Sequence, residues 1–157
     1  MTETFKGTLS HGSFTLERTF DHPPARVWRA WSDLSVRRRW FHGGSTWTEA
    51  ERTFDFRIGG QDIVTGEFSA RGKSRYVSTF HDIVPEKRII HVYDMWIGGK
   101  YLSCSLATLL FRDEGGKTRL TQTEQGTYFD VPEHNDGRRT GTAGQLEAIA
   151  AIIDELE

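Results

Sequence analysis

The chain lacks most of the features that would assign it a chemistry at once. It has a single cysteine, Cys104, in 157 residues, so an intramolecular disulfide and a cysteine-rich metal site are both excluded. Neither sign of charge dominates: 20 Lys and Arg stand against 22 Asp and Glu, a net −2. That balance argues against a polyanion-binding protein, and no nucleic-acid partner is expected. No apolar run approaches the ~18 residues that a membrane span requires. The start, Met1-Thr-Glu-Thr-Phe-Lys6, has neither the basic region nor the apolar stretch of a secretory signal, so the expected location is the cytoplasm. There is no P-loop, no Gly-x-Gly-x-x-Gly after a strand, no Gly-x-Ser-x-Gly elbow, and no His-x-x-x-His or His-Glu-x-x-His spacing. Nucleotide, serine-hydrolase and zinc chemistries lose their usual signatures, and neither a cofactor nor a metal is expected. Internal repeats and low-complexity segments are absent as well.

What is present is ordinary globular composition, 36% hydrophobic and 27% charged, with many aromatic residues. A chain of this size is one domain and buries about 68–70% of its unfolded surface without staples. Phe14, Leu16 and Phe20 alternate with polar residues as in a half-buried strand. Asp21-His-Pro-Pro24 breaks that strand, and Val27, Trp28 and Trp31 follow at helical spacing. Asp33 or Ser35 is placed to cap a second short helix reaching Trp40-Phe41. Period-two runs then occupy Thr53–Ile58, Ile63–Phe68, Arg75–Val84, Arg88–Trp96, Tyr101–Arg112 and Thr118–Tyr128. Gly59-Gly60, Gly98-Gly99 and Gly115-Gly116 separate some of them, as tight antiparallel reversals require. From near Pro132–Gly137 to the end the period changes, and Leu146, Ile149, Ile152, Ile153 and Leu156 mark one helix face. The expected fold class is two-layer α+β, with the last helix covering one face of an aromatic antiparallel sheet.

Several stretches carry a family resemblance. They are Arg18-Thr-Phe-Asp-His-Pro-Pro-Ala-Arg-Val-Trp-Arg-Ala-Trp-Ser-Asp33, Arg39-Trp-Phe41, Asp55-Phe-Arg-Ile-Gly-Gly60 and Asp82-Ile-Val-Pro-Glu-Lys-Arg-Ile-Ile90, extended by Ser105-Leu-Ala-Thr108, Thr118-Arg-Leu-Thr-Gln-Thr-Glu-Gln-Gly126 and Gly141-Thr142. With them the chain resembles the START-like superfamily. More narrowly it resembles the bacterial relatives of the C-terminal domain of the activator of the Hsp90 ATPase. The resemblance implies a helix-grip fold: a curved antiparallel sheet of six or seven strands wrapped on a long C-terminal helix, with two short helices after the first strand. It implies one domain over residues 1–157, residues 1–12 being a loosely ordered arm. It further implies a gap between sheet and helix that binds apolar small molecules. It does not fix an activity, because relatives are described as carriers, cyclases and co-chaperone domains. Where many relatives have Gly-Trp at the start of the last helix, this chain has Gly141-Thr142.

Strand parity selects candidate cavity residues. Leu120 is the apolar member of a polar run, and Gln122 and Glu124 share its side. Ser103 and Ser105 share a side with Tyr101 and Ala107, and His91 and Tyr93 with Ile89 and Met95. Phe54, Phe56 and Ile58 would share one strand face and supply apolar wall. The stripe of the last helix, followed toward its start, turns polar at Thr142 and Arg138, with Gln145 beside it. The expected ligand site is thus Phe54, Phe56, Ile58, His91, Tyr93, Ser103, Ser105, Gln122, Glu124, Arg138, Thr142 and Gln145, holding a small apolar or amphipathic molecule by a few polar groups. Glu124 in such a cavity would have a raised pKa and, with His91 or Tyr93, could move protons as in a cyclase or hydratase. The plainer reading pairs Glu124 with Arg57, Arg88 or Arg138 and gives it a structural role. A third reading, from the family label, is a chaperone partner. Arg37-Arg38-Arg39 reads as a solvated face and Cys104 as a packed side chain. Leu102, Leu106 and Leu110 would line the outer sheet face, where a second copy of the chain could dock to form a homodimer.

Overall fold

The computed structural model describes residues 7–130 and 134–157. Its elements are β1 (Leu9–Phe20), α1 (Pro24–Ser32), α2 (Leu34–Arg37), β2 (Trp47–Phe54), β3 (Gln61–Phe68), β4 (Gly72–Val84), β5 (Arg88–Ile97), β6 (Lys100–Asp113), β7 (Thr118–Phe129) and α3 (His134–Glu155). The seven strands form one antiparallel sheet in the order β1-β7-β6-β5-β4-β3-β2. The fold is the α+β helix-grip arrangement: a curved sheet, a long last helix and two short helices after the first strand.

Local chemistry explains most boundaries. Pro23 and Pro24 open α1, where their missing N–H groups cost no hydrogen bond. Asp33 separates the two short helices and caps α2, its carboxylate accepting from the Ser35 amide at 3.0 Å. Gly98 and Gly99 turn β5 into β6 with φ of 61° and 80°, a region that glycine enters without a Cβ clash.

Three expectations need correction. The loosely ordered arm expected over residues 1–12 does not extend to Leu9–Gly12, which belong to β1 and pair with Phe129 to Gly126 of β7. Residues 1–6 lie outside the described residues. The strand expected at Thr53–Ile58 is shifted: β2 ends at Phe54, and Asp55–Gly60 is a turn closed by Gly60 N–H to the Arg57 carbonyl at 2.8 Å. The first half of β2 is solvent-exposed and the strand is bulged between Glu49 and Glu51, so alternation is confined to its last residues. The outer leucine line is incomplete. Leu106 is exposed, but Leu102 sits at a register shift between β5 and β6 and lines the inner cavity instead.

α3 packs on β1, β7 and α1. Leu146, Ile149, Ile152 and Ile153 bury the face foreseen from their spacing. Opposite them, Trp28 and Trp31 of α1 meet Phe111 edge-on with ring centres at 5.0 and 5.2 Å. Arg26 donates to the Ile153 and Leu156 carbonyls, and Arg39 pairs with Glu155. Cations thus meet the negative end of the helix. Among the described residues no helix is long and apolar enough to cross a membrane.

Candidate functional site

The inner face of the sheet and the first half of α3 enclose a cavity of about 520 Å³. Its apolar wall comes from Trp31, Trp40, Phe41, Trp47, Tyr76, Met95, Leu102 and Leu109. Trp47 is held by its indole N–H to the Ser74 hydroxyl at 2.8 Å. It lies flat against Gly66, where a Cβ would stand 2.2 Å from its ring. Glycine is needed there for close approach. The volume and lining match small-molecule pockets, which are mostly apolar with few polar groups.

The polar groups gather on the sheet floor under α3. Tyr93 donates to Glu124 Oε1 at 2.5 Å and accepts from Arg138 Nη1 at 2.8 Å. Gln122 Nε2 donates to Glu124 Oε2 at 3.0 Å. Arg138 also donates to Ser103 at 2.8 Å and Ser105 at 3.3 Å. Glu124 is thus held by neutral donors, with the guanidinium one hydroxyl away. Burial pushes the Glu124 carboxyl above its ordinary pKa, although Tyr93, Arg138 and Gln122 all pull the other way. Burial and the adjacent Glu124 charge push Tyr93 well upward, so its proton stays on. Burial alone would lower the pKa of Arg138. The surrounding Tyr93, Tyr128 and Glu124 outweigh it and keep the guanidinium charged. His91 stacks on Tyr93 with ring centres at 5.6 Å, and its Nδ1 shares a 2.9 Å hydrogen bond with Ser78. Burial, with the Arg37 charge, lowers its pKa to about 3, so the ring is neutral.

Seven of the twelve sequence-derived residues line this cavity: His91, Tyr93, Gln122, Glu124, Arg138, Thr142 and Gln145. Ser103 and Ser105 are fully buried and act behind Arg138 as its acceptors. Phe54, Phe56 and Ile58 do not share a strand face. Phe54 and Phe56 stack at 5.7 Å and pack against Phe80 in the core, and Ile58 is 58% exposed on the turn. Among the three arginines weighed for Glu124, Arg138 is the one beside it, whereas Arg57 pairs with Asp55 and Arg88 with Asp82.

Sequence reasoning missed Arg37. It was expected on a solvated face, but it is 6% exposed, lines the cavity and pairs with Asp62 at 2.7 Å. The available signal was its spacing of three and four residues from Trp40 and Phe41, which places all three on one side of a helical turn. Its guanidinium lies over the Phe41 and Trp40 rings at 4.3 and 5.0 Å. Among the described residues no group of three or more His, Cys, Asp or Glu could hold a metal ion.

Comparison with known proteins agrees with this architecture. The sequence profile of the family described as Activator of Hsp90 ATPase homolog 1-like protein matches residues 21–154. Among curated proteins nothing matches the chain. The crystal structure of the Mll3558 protein of Rhizobium loti is 41% identical, covers 92% of this chain and 99% of its own, and superposes with a TM-score of 0.85. A putative uncharacterized protein of Rhizobium leguminosarum is 33% identical, with 95% and 98% covered and a TM-score of 0.87. An AHSA1-like protein of Aeromonas hydrophila, 20% identical over 91% and 92% of the two chains, shares the fold with a TM-score of 0.68.

Proposed function

The chain belongs to the activator of Hsp90 ATPase homolog 1-like family, and from that premise and its cavity we propose that the protein binds a small, largely apolar molecule between the sheet and α3. Membership supports a ligand-binding or co-chaperone-like domain. The observation that favours the first is a cavity of about 520 Å³ with aromatic walls and a charged, buried Arg138–Tyr93–Glu124 cluster on its floor. Apolar walls with a few fixed polar groups are the make-up of small-molecule pockets. The ligand carries an acidic or hydroxyl-bearing end, which Arg138, Tyr93, Gln145 and Thr142 orient. Native mass spectrometry of freshly purified protein tests the reading: a retained small molecule is the expected result. Thermal stabilisation by added apolar ligands, growing as RT ln(1 + [L]/Kd), is the second readout. No retained molecule and no shift with any apolar probe would overturn it.

A second reading rests on Glu124. A buried carboxyl with a raised pKa, hydrogen-bonded to Tyr93 near a neutral His91, is suited to proton transfer. Under this reading Glu124→Gln abolishes turnover. Under the binding reading it leaves affinity for neutral ligands largely intact. The co-chaperone reading is checked by the ATPase rate of purified Hsp90 with and without the protein, an unchanged rate counting against it.

A further inference from the structure

We infer that the cavity takes an apolar carboxylate together with one proton, the proton settling on Glu124. This rests on the cavity-binding reading, and it names the ligand's charged group and the way pH governs its capture. Arg138 on α3, Tyr93 on β5 and Glu124 on β7 all line the cavity, so each borders the space that a bound molecule would fill.

Arg138 has donors to spare. Its Nη1 donates to Tyr93 at 2.8 Å and to Ser105 at 3.3 Å, and its Nη2 to Ser103 at 2.8 Å. Nε makes no hydrogen bond among the described residues, and it is not sealed away as a buried unpartnered atom. Nη2 carries a second hydrogen beside it. Nε and Nη2 together form the edge with which a guanidinium grips a carboxylate in a two-bond fork.

Charge decides what must accompany the ligand. The cluster holds one cation, Arg138, and one anion, Glu124. A ligand carboxylate brings a second anion into a space with aromatic walls, where unbalanced charge is costly. One proton restores the balance. Opposite Glu124, β6 presents Ala107 and β1 presents Phe14, neither of which titrates. The polar groups around it are Gln122 and Tyr128 on β7, Tyr93 on β5, Tyr76 on β4 and Arg138 on α3. Burial keeps the protons on all three tyrosines, Arg138 stays charged, and the nearby His91 is neutral down to about 3. Glu124 alone in this group changes charge as pH moves from acid through neutral, and burial already disposes it to hold a proton.

The hydrogen bonds rearrange without loss. In the ligand-free protein Tyr93 donates to Glu124 Oε1. A solvent proton on Oε1 reverses that bond, so that Oε1–H donates to the Tyr93 oxygen, which still accepts from Arg138. The Tyr93 O–H is then released to donate to the ligand carboxylate. The proton comes from water, and no bond to carbon forms or breaks.

Calorimetric titration of the whole protein with 2-naphthoate and its neutral isostere 2-naphthamide at pH 8, each in two buffers of different ionisation enthalpy, counts the protons taken up. The expected result is about one proton per naphthoate bound and none per naphthamide. Naphthoate affinity should fall by up to about tenfold per pH unit above the pH at which the ligand-free Glu124 ionises. In Glu124→Gln the uptake should disappear and naphthoate binding should lose its pH dependence. In the unsubstituted protein the Glu124 side-chain carboxyl carbon resonance should move to its protonated position when naphthoate is added at pH 8, a readout that holds even if the variant does not fold. Naphthoate bound with no proton uptake, or naphthamide bound and naphthoate refused, would overturn the inference and leave the cavity reading standing. Uptake that persists in Glu124→Gln, or an unmoved Glu124 resonance, would send the proton elsewhere and also overturn it. Failure of both probes to bind, together with no retained molecule in native mass spectra, would remove the coupling and the binding function at once.

Discussion

The hydroxyl of Tyr93 lies 2.5 Å from Glu124 Oε1, and the two side chains are only 6% and 4% exposed. Burial outweighs this contact, which by itself would lower the pKa of Glu124. Its pKa is raised in the folded protein, so the folded state holds that proton more tightly than the unfolded chain. The associated stability is present below the unfolded value and is lost as pH rises through the folded one. Glu124→Gln carries no such charge. Its urea midpoint relative to the parent protein should therefore improve as pH is raised above 4.5 and level off once the folded carboxyl has ionised. A constant offset across that range would mean that the carboxyl is not buried as described.

His91 has the opposite sign. Its folded pKa is about 3 against an ordinary 6.5, so the unfolded chain takes up the proton first. The stability is present above 6.5 and is lost as pH falls toward 3, by at most about 1.4 kcal/mol per pH unit. His91→Gln should flatten this acid limb. Denaturant midpoints at pH 7, 6, 5 and 4 in the two proteins provide the comparison.

Gly141 lines the cavity, and a Cβ built on it meets open space. Gly141→Ala should stabilise the protein by about 0.5–1 kcal/mol, the helix-propensity difference. Gly141→Trp should also fold, but its ring would occupy the cavity. Melting temperature should hold or rise in both variants, while a retained small molecule should be lost only from the tryptophan variant.

Arg138 is the donor for Tyr93, Ser103 and Ser105. Arg138→Met leaves these buried hydroxyls short of a partner. The expected cost is about 1–3 kcal/mol, read from chemical denaturation. Affinity for ligands with an acidic end should fall further than affinity for neutral ones. An equal fall for both would assign Arg138 to structure alone.

The residues readable in advance were those governed by a regular period. Leu146, Ile149 and Ile153 announced the buried face of α3, and the same stripe carried on to Thr142 and Arg138. Leu120 fixed the side on which Gln122 and Glu124 point inward. Residues at breaks of period were not readable. Leu102 turns inward because one residue is extra where β5 meets β6, and alternation alone cannot anticipate a bulge. Phe56 left its expected strand because hydrogen bonds within Asp55–Gly60 close a turn. Trp47 opens a strand whose first half, Thr48 to Glu51, is exposed and shows no alternation. Arg37 was concealed by its charge, since burial of a guanidinium depends on Asp62, a partner 25 residues away.

The two ends of α3 are secured by different means. At the C-terminal end, Arg26 and Arg29 grip backbone carbonyls at Ile153, Leu156 and Glu157, while Arg39 and His22 hold the carboxylates of Glu155 and Asp154. The opposite end rests on the hydroxyls beneath Arg138 and on the Tyr128–Asn135 contact at 3.3 Å. Among the described residues the helix is thus a beam clamped at one end and propped at the other, with the hollow under the propped half. Under the proposed binding function, a guest that competes for the same hydroxyls would exchange one prop for another, so its arrival would be felt first in the opening turns.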